Sequence, residues 1–66
     1  MTDLPELRSR WRPRSVFRYG ARDVLDPAVV VTVTSVQDDI VLVSAPELSV
    51  PASFDVERFH RDFEPA

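Results

Sequence analysis

The chain offers one histidine, no cysteine and one glycine, a thin supply for catalysis. His60 has Glu57 three residues before it and Glu64 four after it. On one helix those spacings share a face and present one nitrogen and two carboxylates, donor types that metal ions accept. Such trios are commonplace on acidic helices and satisfy no required ligand spacing, so neither a metal nor a cofactor is expected. The serines stand singly, without a nucleophile elbow, and one glycine cannot build a phosphate-cradling loop. With few members for any base and nucleophile pairing, the chain reads as a non-enzyme.

Charge carries more information. The formal net charge is −3, and it is unevenly spread. Residues 1–22 hold six arginines against Asp3 and Glu6, a balance of +4, whereas residues 23–66 hold nine acids against Arg58 and Arg61, a balance of −7. Two candidate surfaces follow. The first is acidic: Asp38 and Asp39 in a turn, with Asp55, Glu57, Asp62 and Glu64 around a closing helix. Carboxylates held on a small rigid body imitate the phosphates of a nucleic acid and suit a partner with a basic surface. Solubility alone also accounts for residues of this kind.

The second candidate surface is basic. In RSRWRPRS, Arg8, Arg10, Arg12 and Arg14 alternate with Ser9, Trp11, Pro13 and Ser15. Pro13 excludes a helix interior and pushes Arg12 toward extended backbone, so the guanidiniums line one side and Trp11 the other. This is an arm for phosphates or for an acidic protein patch, or a solvated strip whose indole covers the open end of the body.

The elements that position these charges centre on Ala28 to Val43, AVVVTVTSVQDDIVLV. Val29, Val31 and Val33 share one face of a strand, and Val30, Thr32, Thr34 and Val36 share the other. The run Ile40–Val43 is apolar on both faces, as in a strand covered on both sides. Gln37, Asp38 and Asp39 supply the turn of a hairpin, since aspartate tolerates left-handed backbone. A first strand is expected at Ser15–Tyr19, ended by Gly20, and a loop at Ala21–Pro27. Pro46 and Pro51 mark an edge strand or covering loop, with a last short strand at Ala52–Val56.

The close of the chain, DVERFHRDFEP, switches to helical period: Val56, Phe59 and Phe63 fall on one face beside His60, Asp55 is an N-cap and Pro65 a stop. Glu57 and Arg61 have the favourable orientation for a pair four residues apart. Met1–Arg10 is expected to be frayed apart from one helical turn beginning after Asp3. The fold class is thus mostly β (α+β), a small antiparallel SH3-like barrel or curved sheet of four to five strands with a short C-terminal helix. Residues 1–14 are expected as a basic N-terminal arm and 15–66 as a single small β-rich domain.

A chain of 66 residues has room for one modest core, and without cysteine no disulfide staples it. No apolar run nears the roughly 20 residues of a membrane span, and Met1–Arg8 lacks the regions of a signal peptide, so a cytoplasmic location is expected. A monomer or small homo-oligomer fits this size.

The closing VERFHRDFEP, following a valine hairpin, resembles the end of small phage and prophage proteins. In these an SH3-like barrel runs from its last strand into an R-F-x-x-x-F helix, matched by Arg58, Phe59 and Phe63. The likeness spans Ser15 to Pro65 in layout and the closing segment in motif. It departs in the proline-rich stretch 46–51 and in the scarcity of glycine. By class, it implies an inhibitor of a host protein complex of the anti-CRISPR type, acting by blocking a nucleic-acid-binding surface. The alternatives are a nucleic-acid-binding module using Arg8, Arg10, Arg12 and Arg14, and a structural phage component.

Overall fold

The structure is a computed structural model that describes residues 4–20 and 23–66. Its framework is the valine hairpin. Strand β4 (Val31–Gln37) and strand β5 (Ile40–Ser44) run antiparallel through a two-residue turn at Asp38 and Asp39, where Asp38 takes φ 55°. β-branched side chains, stiff at the first torsion, suit this pleated surface. Val31, Val33, Val41 and Val43 are fully buried on the inner face.

Around the hairpin the chain adds β1 (Arg10–Pro13), β6 (Ala52–Asp55) and β7 (Phe63–Pro65), giving one antiparallel sheet in the order β6-β5-β4-β1-β7. Strands β6 and β7 are its two edges, so the sheet is curved and does not close into a barrel. The short strands β2 (Phe17–Tyr19) and β3 (Asp23–Leu25) pair as a separate ribbon. Helix α1 (Val56–Asp62) lies between β6 and β7.

Several sequence expectations are corrected by this arrangement. The stretch expected as a basic arm supplies β1, which sits inside the sheet between β4 and β7. Pro13 is tolerated there for a geometric reason. Arg14 N–H donates to the Asp62 carbonyl and Ala66 N–H to the Arg10 carbonyl, so even-numbered residues of β1 face β7 and Pro13 faces β4. The ladder to β4 has already ended at Trp11↔Val31, so the missing N–H of Pro13 leaves no bond unmade. Likewise Pro65 turns its nitrogen to the outer edge of β7, where it blocks further pairing.

A bulge between Val33 and Ser35 shifts the register of β4. Val36 therefore faces Val41 on the core side, not the side of Thr32 and Thr34 as strict alternation requires. Strand β5 is buried on one face only: Val41 and Val43 are covered, Ile40 is 45% exposed and Leu42 half-buried. The expected loop after Gly20 contains β3, and Ala21 and Arg22 lie outside the described residues. The helical turn expected after Asp3 begins outside them too; from Leu4 on, the chain makes only a tight turn in which Ser9 N–H donates to the Glu6 carbonyl at 3.2 Å.

The closing helix is capped as expected, with the Asp55 carboxylate accepting from Arg58 N–H at 2.8 Å. It is shorter than its period suggests. Phe63 leaves it with extended backbone (φ −125°, ψ 156°) and begins β7. Pro65 keeps the chain from resuming the helix, because its ring disfavours helical backbone at Glu64, the residue before it. The helix's pair four residues apart joins Arg58 to Asp62 at 3.3 Å, and Arg61 also turns to Asp62, in place of the expected Glu57–Arg61 pair.

The core is an aromatic chain laid on valines. Phe59 and Phe63 stack at 4.9 Å and 15°, Phe63 meets Phe54 edge-on at 5.1 Å, and Phe17 meets Phe54 at 6.2 Å. Tyr19 joins through Phe54 at 5.2 Å and Trp11 through Phe59 at 4.9 Å. All six aromatic residues of the chain are thereby linked, with Phe59 and Phe63 fully buried. Truncation of Phe59 to alanine is expected to cost about 3 to 5 kcal/mol; urea unfolding followed by circular dichroism measures it, and an unchanged midpoint would show that the ring does not close the core.

Candidate functional site

The carboxylates singled out from the sequence separate into two groups. Asp38 and Asp39 form the exposed tip of the β4–β5 turn. The β5–β6 ladder places Asp55 opposite Ile40, and Val56 N–H donates to the Asp39 carbonyl at 2.8 Å, so the start of α1 is tied to that tip. Glu57, exposed in the first helical turn, follows directly. One end of the sheet thus carries Asp38, Asp39, Asp55 and Glu57 around the half-exposed side chain of Ile40. Among the described residues no ion pair holds Asp38, Asp39 or Glu57, while the Asp55 carboxylate caps the helix.

Asp62 and Glu64 stand apart from this group, committed to the protein's own arginines. Glu64 receives Arg12 at 2.9 Å and Arg14 at 3.6 Å; Asp62 receives Arg58 and Arg61, at 3.3 and 3.7 Å. The strand register dictates the first contact, because Arg12 and Glu64 are direct cross-strand neighbours of β1 and β7. Glu64 is therefore on a strand, away from the helical trio expected with Glu57 and His60, and among the described residues no group of three or more His, Asp or Glu is placed to hold a metal ion.

The arginines are divided as well. Arg10 and Arg12 point outward from β1 while Pro13 and, in part, Trp11 turn inward, as the alternation predicts. Trp11 is a packing residue: its indole meets the ring of Phe59 and, at 5.6 Å, that of His60, and its Nε1 donates to Ser9 Oγ at 2.8 Å. Arg14 also reaches the His60 carbonyl, at 3.4 Å. Arg8 lies outside the strand in a tight turn, with φ 68°, and its N–H donates to the Val33 carbonyl at 2.8 Å. The four guanidiniums expected in a row do not form one continuous unopposed strip.

Sequence reasoning passed over Tyr19. Its hydroxyl oxygen accepts the Ser53 N–H at 3.0 Å, so the β2–β3 ribbon satisfies a backbone donor on edge strand β6. That hydrogen bond favours the phenolate and lowers the Tyr19 pKa below its ordinary value of 10.0, aided weakly by Arg58 and opposed by burial. No family model matches the chain, and neither a curated protein nor a solved structure matches it. No helix among the described residues is long and apolar enough to cross a membrane.

Two outcomes follow from these contacts. Tyr19 is the sole tyrosine, so absorbance at the phenolate band reads it alone: the folded chain should titrate below 10.0 and the urea-unfolded chain near it. Because the folded state loses this proton first, the tyrosine's contribution to stability rises with pH across the window between the two midpoints; a folded midpoint at or above the unfolded one contradicts the hydrogen bond. For the half-exposed Arg12–Glu64 pair, a double-mutant cycle with alanine should give a coupling under about 1 kcal/mol, whereas a coupling of several kcal/mol would make the pair a main support of the β1–β7 ladder.

Proposed function

We propose that the protein is a non-catalytic binding module of the small phage-inhibitor kind. It occupies a basic, nucleic-acid-binding surface of a host protein complex with the acidic end of its sheet. The observation that supports this reading is the convergence of Asp38, Asp39, Asp55 and Glu57 at one exposed end, while Asp62 and Glu64 are spent internally. Displayed carboxylates steer association with a cationic groove, and Ile40 among them supplies apolar area that is desolvated on docking. The tight turn and the β5–β6 ladder hold the charges in place before binding, which limits the ordering cost.

The nucleic-acid-binding alternative has weaker support. Glu64 neutralises Arg12 and Arg14, which removes two of the four arginines from a phosphate track.

The test is affinity capture from host lysate, followed by a gel shift of the captured complex with its own nucleic acid. Wild-type protein should abolish that shift, increasingly so at low salt. The double substitution Asp39→Lys with Glu57→Lys should keep the circular dichroism spectrum and weaken inhibition by about tenfold or more, as charge reversal at an electrostatic interface does. Full inhibition by the double variant, or a direct salt-sensitive shift of generic DNA by the wild-type protein alone, would overturn the reading.

A further inference from the structure

Strand β4 is longer than the partner on one of its sides. Toward β5 it is paired from Thr32↔Ser44 to Gln37↔Ile40, interrupted only by the bulge at Thr34. Toward β1 the pairing stops early: Val33 N–H donates to the Ser9 carbonyl at 3.0 Å, Arg8 N–H donates to the Val33 carbonyl, and the chain reverses at the Glu6–Ser9 turn, before which Pro5 is buried. Among the described residues no backbone pairs with Thr34–Gln37 on that side. The two-residue turn makes Gln37↔Ile40 a hydrogen-bonded pair, so the next pair, Val36↔Val41, is of the other kind. The N–H and C=O of Val36 consequently point away from β5, out of the open edge.

The two residues that bracket this opening are the only non-glycine residues among those described with positive φ: Arg8 at 68° and Asp38 at 55°. Left-handed backbone costs an L-residue energy that glycine avoids, and arginine lacks the short polar side chain by which aspartate tolerates it. Both are exposed, and they carry opposite charge.

A two-fold axis through Val36 exploits all of these features together. In antiparallel pairing of β4 with a second copy of itself, Val36 faces Val36 and the two exchange both backbone hydrogen bonds. Thr34 then faces the second copy's Asp38. One step further along β4, Arg8 on Val33 comes against the second copy's Asp38–Asp39 turn. Symmetry makes the same ion pairing at the other end, so the edge is complementary to itself in both hydrogen bonding and charge. Leu7, 62% exposed in the turn that holds Arg8, adds apolar area at each margin.

We infer that the open half of β4, bracketed by Arg8 and Asp38, is a docking edge for a second copy of this chain. This edge shares Asp38 and Asp39 with the acidic end assigned to the partner above, so the two contacts compete for that turn; the tests use the protein alone in solution, and their outcome is separate from that of the capture experiment. Sedimentation equilibrium of the full chain over a concentration series should give a mass rising from one chain toward two. Amide exchange at Val36 should slow over the same range. Arg8→Asp and Asp38→Arg should each shift the association at least tenfold toward monomer, and the two together should restore it. A mass of one chain at every concentration, an unchanging Val36 exchange rate, or a double variant no more associated than the singles would overturn the inference. The wild-type mass and the Val36 amide decide the matter even where a variant folds poorly.

Discussion

The packing of Phe63 is the constraint on which the rest depends. Its ring stacks on Phe59 of the helix, meets Phe54 of β6 edge-on and touches Phe17 of the β2–β3 ribbon at 5.8 Å. Its backbone meanwhile pairs with Pro13 of β1. One residue thus joins the helix, edge strand β6, the ribbon and the first strand. The helix can be short because it ends where this ring must enter the core, and its terminal carbonyls are partly used by the Phe63 N–H, which donates to the Phe59 carbonyl. In a chain this small, with no disulfide, such convergence replaces a larger core.

The central hairpin was legible because its signal is redundant: alternating valines, β-branched composition and a turn of aspartates all favour the same structure. The N-cap at Asp55 and the burial of Phe59 and Phe63 followed from period and residue type alone. What sequence obscured was mostly backbone direction. Arginine and proline hide β1, since neither favours a central strand; its place becomes intelligible only once the nitrogen of Pro13, which carries no hydrogen, is known to face a stretch beyond the end of the β1–β4 ladder. Val36 reads as outward until one extra residue in the strand turns it inward. β3 has three residues, too few for any periodicity to show.

The charged sites were half legible for the same reason. Composition separates a basic beginning from an acidic remainder, but it cannot say which charges cancel. Cross-strand register does that, bringing Arg12 to Glu64 across the β1–β7 ladder, and helix spacing brings Arg58 to Asp62. After these pairings Asp38, Asp39, Asp55 and Glu57 remain together at the hairpin tip and helix start, while Glu6, Asp23, Asp26 and Glu47 lie elsewhere along the chain. The N-capping carboxylate of Asp55 contributes to both stability and that field, since a negative charge there also favours the helix dipole.

The joining of β1 to β7 has a temporal consequence. Arg12 meets Glu64 across 52 positions of sequence, so during synthesis at about 5 to 20 residues per second the earlier strand waits roughly 3 to 10 s for its mate. For most of that interval Trp11 has no Phe59 to cover it. Distant pairings of this sort slow the search for the native arrangement, and the polar, proline-containing composition of β1 keeps the waiting segment from pairing with the wrong neighbour.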